Sequence, residues 1–399
     1  MTTDRRPRQR LALRAAGLFD GTGATLRPDP LVLIDDGRIV AVETGRVEPP
    51  DDATVVDLGT ATLMPGLVDT HLHLAFDAGP DPVAALRASD DATVLAGMAV
   101  AARRALRAGV TTVRDLGDRN YLALRLRDAT DHGLPTIVAA GPPITTPGGH
   151  CHFLGATAQG ESAVRAAVRE HAARGVDVIK VMASGGFITP GSTGLVPQFD
   201  ADELRAAVDE AHRHGLPVTA HAHSTLSVAA ALDAGVDGIE HCSFMTDDGV
   251  DAPDELIRRI ARQRVAIGAT LGALPGAVPP PPVAQRLDAM RATIGRLHRA
   301  GAQILAASDA GIGPPKPHDV LPYGIELLGQ IGLSNYEALR AATVEAARVC
   351  GLADRKGRVA PGLDADLVAL DGDPLTDLSA LHRVAAVYRH GRHVTEETG

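Results

Sequence analysis

The chain has 399 residues, 45% of them hydrophobic and 22% charged, a globular profile long enough for one α/β barrel of ~250 residues plus a smaller unit. With 39 Lys+Arg against 49 Asp+Glu the formal net charge is −10, which argues against a nucleic-acid or anionic-membrane partner held through its phosphates. Three scattered cysteines cannot build a disulfide framework, 3% aromatics with no Trp make a base-stacking platform implausible, and no apolar run reaches the ~18 residues of a membrane span.

The N-terminus is basic, but no apolar segment of signal-peptide length follows it, so a cytoplasmic protein is expected. Residues 10–57 read as short strands, rich in Val, Leu and Ile and punctuated by D-G and T-G turns. From about 60 to 350 the pattern changes to alternating strands and helices. Eight apolar runs stand out: TLMPGLVDTHLHL, GVTTVRDLG, LPTIVAAG, VDVIKVMASGG, LPVTAHAHS, VDGIEHCS, RVAIGATLG and AQILAASDAG. Between them lie Ala/Arg/Glu-rich helical stretches, several ending in Gly, a common helix stop. PGAVPPPPV at 275–283 reads as a stiff loop after the seventh strand. The tail, DADLVALDGDP and HRVAAVYRHGRHV, returns to β texture. The predicted fold is α/β: a (β/α)8 TIM barrel over 61–351, with a small β-sandwich domain built from both chain ends, 1–60 and 352–399.

Polar residues collect at the C-terminal ends of the predicted barrel strands, where barrel enzymes carry their sites. The first strand ends DTHLHL, and its i, i+2, i+4 spacing turns Asp69, His71 and His73 to one side. Two imidazoles spaced this way can share one metal ion. The fourth strand carries Lys180. The chain uses Lys only three times against 36 Arg, so a lysine inside an apolar strand asks for a reason that Arg cannot meet. An unpaired ammonium there is costly, whereas an amine that reacts with CO2 becomes an anionic carbamate able to bridge two metals. The fifth strand ends with His221 and His223, the sixth with His241 and the eighth with Asp309. Imidazole nitrogens and carboxylate oxygens together suit zinc or a similar divalent ion.

On MPGLVDTHLHL, VIKVMASGG, TAHAHS, IEHCS and ASDAG the chain resembles the amidohydrolase superfamily, and PGLDADLVALDGDP resembles its usual C-terminal return. GVTTVRDLG and the HAHS…GVDGIEHCS pair are most similar to the branch of Xaa-Pro dipeptidases, related metallocarboxypeptidases and ochratoxin amidase, often called imidazolonepropionase-like. The resemblance implies two divalent metal ions, zinc being the expected metal. His71, His73 and Asp309 would bind one, His221 and His241 the other, and carboxylated Lys180 would bridge them. His223 would be a second contact near the reacting atoms, and it exchanges roles with His221 if that assignment is reversed. The implied reaction is hydrolysis of an amide or peptide bond in a small substrate, of dipeptide or N-acyl amino acid type, by a metal-bridging hydroxide. Asp309 would carry the proton from water to the leaving amine. Opening of a cyclic amide, or hydrolysis of a carbamate or urea-like compound, is the alternative. In the Gly-rich TTPGGHCHFLG segment, His150 is the first choice for stabilising the oxyanion and His152 for touching the substrate. Arg114 is expected either to grip a substrate carboxylate or to pair with Asp115 or Asp118. Arg114, Arg119, His150, His152, Lys316 and His318 together suggest an anionic substrate. No nucleic-acid or membrane partner is expected, and a homo-oligomer is.

Overall fold

The computed structural model describes residues 10–129 and 133–395. Eight parallel strands form the barrel: β1 (Leu67–Leu72), β2 (Val110–Asp115), β3 (Thr136–Ala139), β4 (Ile179–Met182), β5 (Val218–Ser224), β6 (Gly238–Thr246), β7 (Ala266–Thr270) and β8 (Gln303–Ala307). They are almost wholly buried, as near-continuous apolar runs covered on both sides must be. The ring closes through backbone bonds at the strand ends. His73 N donates to Ala310 O at 2.9 Å, and Asp309 N to His71 O at 2.7 Å, joining β8 to β1. Ile144 and Val181 bridge the β3 side to β4.

The helical stretches fall where the pattern put them. Asp91–Arg107, Glu161–Arg174, Ala201–Arg213 and Thr225–Ala234 follow β1, β3, β4 and β5. Asp200 and Glu203 form a reciprocal capping box at the start of the third, and Gly175 and Gly235 end the second and fourth in the left-handed conformation.

The chain ends build two further sheets. One is four-stranded, ordered 38–44, 30–35, 10–14, 53–57. The other is ordered 392–393, 384–389, 367–370, 62–65, 17–18, 27–28. Leu13, Leu18, Val32, Ile34, Leu63, Leu367 and Tyr388 share their core. The run TLMPGLVDTHLHL, expected as one strand, is therefore two. Thr62–Pro65 pairs with Leu367–Leu370, and the barrel begins only at Leu67. Arg389 ties this region to the barrel, and Lys356 shares its carboxylate partner Asp366. Lys356 pairs with Asp364 at 3.1 Å and with Asp366. Arg389 reaches Asp366 at 3.0 Å, Thr136 Oγ1 at 2.8 Å and Leu134 O at 3.2 Å. Among the described residues no helix is long and apolar enough to cross a membrane.

Candidate metal centre

At the C-terminal end of the barrel, β1 and β8 bring His71, His73 and Asp309 together. The Nε2 atoms of His71 and His73 lie 3.3 Å apart, and 3.5 and 3.4 Å from Asp309 Oδ1. Each histidine is oriented through its other nitrogen: His71 Nδ1 donates to Glu240 Oε2 at 2.9 Å, and His73 Nδ1 to Gly117 O at 3.1 Å. Their Nε2 lone pairs are thereby turned inward, the arrangement in which metal-binding histidines are held. Asp69, the first residue of the i, i+2, i+4 set, anchors rather than ligates. It accepts from Ser308 Oγ, from Ser308 N at 3.1 Å and from His71 N at 3.2 Å, fixing the turn that presents Asp309. Burial pushes the Asp69 carboxyl up to about 7, against these hydrogen bonds. Burial acts in the same direction on Asp309, but His73, His71 and Lys316 more than offset it and hold that carboxyl below its usual range.

His221, His223 and His241 form a second group, with one nitrogen of each within 4.8 Å of the others. His221 Nε2 donates to Gly185 O at 2.9 Å, which leaves Nδ1 open. His223 Nδ1 meets Ser243 Oγ at 3.0 Å and His241 Nδ1 meets Thr270 Oγ1 at 2.8 Å, leaving both Nε2 atoms open. His223 stacks on His241 with centroids 4.5 Å apart. The backbone is strained here: His241 and Asp309 both sit in the left-handed region, at φ 67° and 57°, a conformation that costs a non-glycine residue ~1–3 kcal/mol.

Lys180 lies buried on β4, 1% exposed, and its Nζ has no hydrogen-bond partner. Burial pulls its ammonium down to about 8, an effect that Glu240 and Asp309 partly oppose. A buried, unpartnered amine beside two imidazole groups fits a ligand set that is completed only by ions.

His150 joins the centre. It is 4% exposed, its ring lies 4.8 Å from His221, and its Nδ1 is buried without a partner. Burial holds its imidazole down to about 3, hence neutral. The loop after β4 lies directly on this ring, and a Cβ at Gly186 would fall 2.3 Å from His150 Nε2. His152 does not join. Its Nδ1 is bonded to Gly149 O at 2.9 Å and its ring packs on Phe153, further out on the rim.

Arg114 requires a correction. It does not face the mouth or pair with Asp115. Instead it is buried under the histidines, donating from Nε to Thr70 O at 2.6 Å and from Nη2 to Glu240 Oε1 at 3.0 Å. Glu240 is the residue that sequence reasoning missed. It takes His71 on one oxygen, and Arg114 together with Thr219 Oγ1 (2.7 Å) on the other. Burial would raise its carboxyl, but His71 and Arg114 more than offset that and keep it ionised. Gly268 on β7 makes room for it, since a Cβ there would lie 1.9 Å from Glu240 Oε2. The signal lay in IEHCS, an acid next to a candidate ligand inside a buried strand. The thiols are no nucleophiles: burial pushes Cys151 up to about 12 and Cys242 higher still.

The chain is 29% identical over 407 residues to ochratoxinase of Aspergillus niger, covering 93% of this chain and 83% of that one. It is 29% identical over 414 residues to imidazolonepropionase of Streptomyces griseus, covering 94% and 95%. A solved Xaa-Pro dipeptidase with bound methionine in its active site matches with a TM-score of 0.86 at 27% identity, over 96% of this chain and 99% of that one. A profile of the amidohydrolase family matches residues 62–394, so the chain belongs to that family of C–N-bond hydrolases, which generally work with divalent metals.

Proposed function

We propose that this chain hydrolyses the amide bond of a small substrate at a two-metal centre. His71, His73 and Asp309 would hold one ion, His221 and His241 the other, and Lys180, as its carbamate, would serve as the shared anionic ligand. The observation that carries this is the Lys180 amine, buried and without a hydrogen-bond partner, and near enough for its charge to act on His71 of one group and on His221, His223 and His241 of the other. The amine's lowered pKa supports the same reading, because the free base is the form that reacts with CO2. The inward-turned nitrogens and carboxylate suit zinc. His221 is preferred over His223 because it stands one same-face step above Thr219, the register partner of Lys180.

Divalent ions bound here supply Lewis acidity, lowering the pKa of water and polarising a carbonyl. Asp309, kept ionised, accepts the proton of the attacking water and returns it to the leaving nitrogen. His150, neutral and with an unused Nδ1, donates to the oxygen on which charge develops. The Glu240 carboxylate fixes the tautomer of His71 through Nδ1. The unpaired Cys151, Cys242 and Cys350 suit a reducing compartment, and we infer a cytoplasmic location on that ground.

The test is elemental analysis of the purified protein together with Lys180→Arg. Two divalent ions per chain are expected, and loss of activity in the variant although its charge is retained, because a guanidinium does not form the carbamate. A single ion per chain, or an active arginine variant, would refute the bridged centre.

A further inference from the structure

The cations that sequence pattern assigned to the mouth are held by the protein itself. Arg114 is held by Thr70 O and Glu240. Arg119 donates to Asp91 at 2.9 Å, Leu86 O at 2.7 Å and Ser89 O at 2.6 Å, pinning the end of the short helix Pro82–Ala88. Lys316 gives its ammonium to Thr270 O, Gly272 O and Ser308 O at 3.0, 2.8 and 2.6 Å, which uses all three N–H bonds. Groups saturated in this way offer a substrate carboxylate little.

Aromatic rings occupy the same rim. The chain has only six phenylalanines, and four of them, Phe76, Phe153, Phe187 and the buried Phe199, stand on the loops after β1, β3 and β4. From His73 the ring contacts climb to Phe76 at 5.6 Å and then to Phe153 at 6.3 Å. On the other side His223 meets Phe187 at 5.3 Å. The two ladders join at their feet, where His241 lies 5.2 Å from His71 and 4.5 Å from His223. Phe153 and Phe187, the outermost rings, are only half-buried. Such rings favour a flat apolar partner in offset or edge-on contact.

Resting on the amide-hydrolase reading of this site, we propose that the mouth selects its substrate by a bulky aromatic group beside the scissile C–N bond, held by Phe153 and Phe187. A carboxylate on the substrate is not required.

The experiment compares three acetamides on zinc-loaded enzyme: N-acetylphenylalanine, N-acetyl-2-phenylethylamine, which lacks the carboxylate, and N-acetylethylamine, which also lacks the ring. The first two are expected within ~3-fold of each other in kcat/KM, and the third at least ~10-fold lower, chiefly through KM. Phe153→Ala and Phe187→Ala should each lower kcat/KM for the two aromatic compounds several-fold more than for the ethyl compound, shrinking the preference for the ring, and a preference that stays the same in both variants overturns the proposal. Equal rates on all three compounds overturn the proposal. So does a preference above ~10-fold for the free acid that disappears in Arg87→Ala. That result would give the carboxylate to Arg87, an exposed residue whose guanidinium lies 5.1 Å over the Phe153 ring. Both of these outcomes leave amide hydrolysis standing. No turnover of the two aromatic compounds overturns this inference, while the amide-hydrolase reading is decided separately by the metal content and the Lys180→Arg variant.

Discussion

Glu240→Gln isolates the charge beneath the candidate centre. The substitution keeps the shape of the side chain and an oxygen for Thr219, but removes the anion that faces Arg114 at 3.0 Å and His71 at 2.9 Å. All three groups are buried, Glu240 at 1% exposure and Arg114 at 4%. Removing one member of a buried ion pair leaves the other uncompensated, at ~3–5 kcal/mol. The second effect falls on the metal. Without its acceptor, His71 is no longer held in one tautomer, and loss of such a partner weakens metal affinity by ~10–100-fold. Urea unfolding measures the first effect, with the m-value checking that the unfolded state is unchanged. Competition with a chelator of known affinity measures the second. In Glu240→Gln/Arg114→Met the orphaned guanidinium is gone, so most of the stability should return while the metal affinity stays low, a strongly non-additive pair. A Glu240→Gln protein within ~1 kcal/mol of the parent and holding metal normally would refute the reasoning, because it would mean that solvent or another group already screens Arg114.

Asp309→Asn is expected to lower kcat at least ~10²-fold while the circular dichroism spectrum is retained, and near-normal kcat would give the proton to another group. In the small domain, burial pushes the Asp366 carboxyl up, but Lys356 and Arg389 more than offset this and leave it below its usual value. A carboxyl depressed in the folded state stabilises fully above its unfolded pKa of ~3.9 and loses that contribution as pH falls through the folded value. Urea-unfolding free energies should therefore decline below about pH 4. Asp366→Asn should cost ~3–5 kcal/mol at neutral pH, with Lys356 and Arg389 left short of an anion, and should show a shallower acid limb. A parallel acid limb in the two proteins would assign the acid sensitivity elsewhere.

The alternation of strand and helix, the β texture of both ends, and the ligand-type residues at strand ends were all legible in the sequence. Each rests on local periodicity: a parallel barrel strand must be apolar on both faces, so a His, Lys or Asp within one stands out. Tertiary structure decided where side chains of equal sequence rank go. TLMP and LVDTHL read as one apolar run, yet the first pairs with Leu367–Leu370 and the second opens the barrel, because pairing partners lie some 300 residues away in sequence. Arg114 looked like a mouth residue, but strand tilt and stagger set the layer a side chain enters, and here the layer is the one beneath the histidines. Strict alternation would turn Glu240 and His241 to opposite faces, yet both reach His71. Left-handed backbone at His241 and Cys242 breaks the pleat, a strain that only the packed barrel can impose. Residue chemistry is written along the chain, but which charges meet, and which remain free for a substrate, depends on distances that exist only once the barrel has closed.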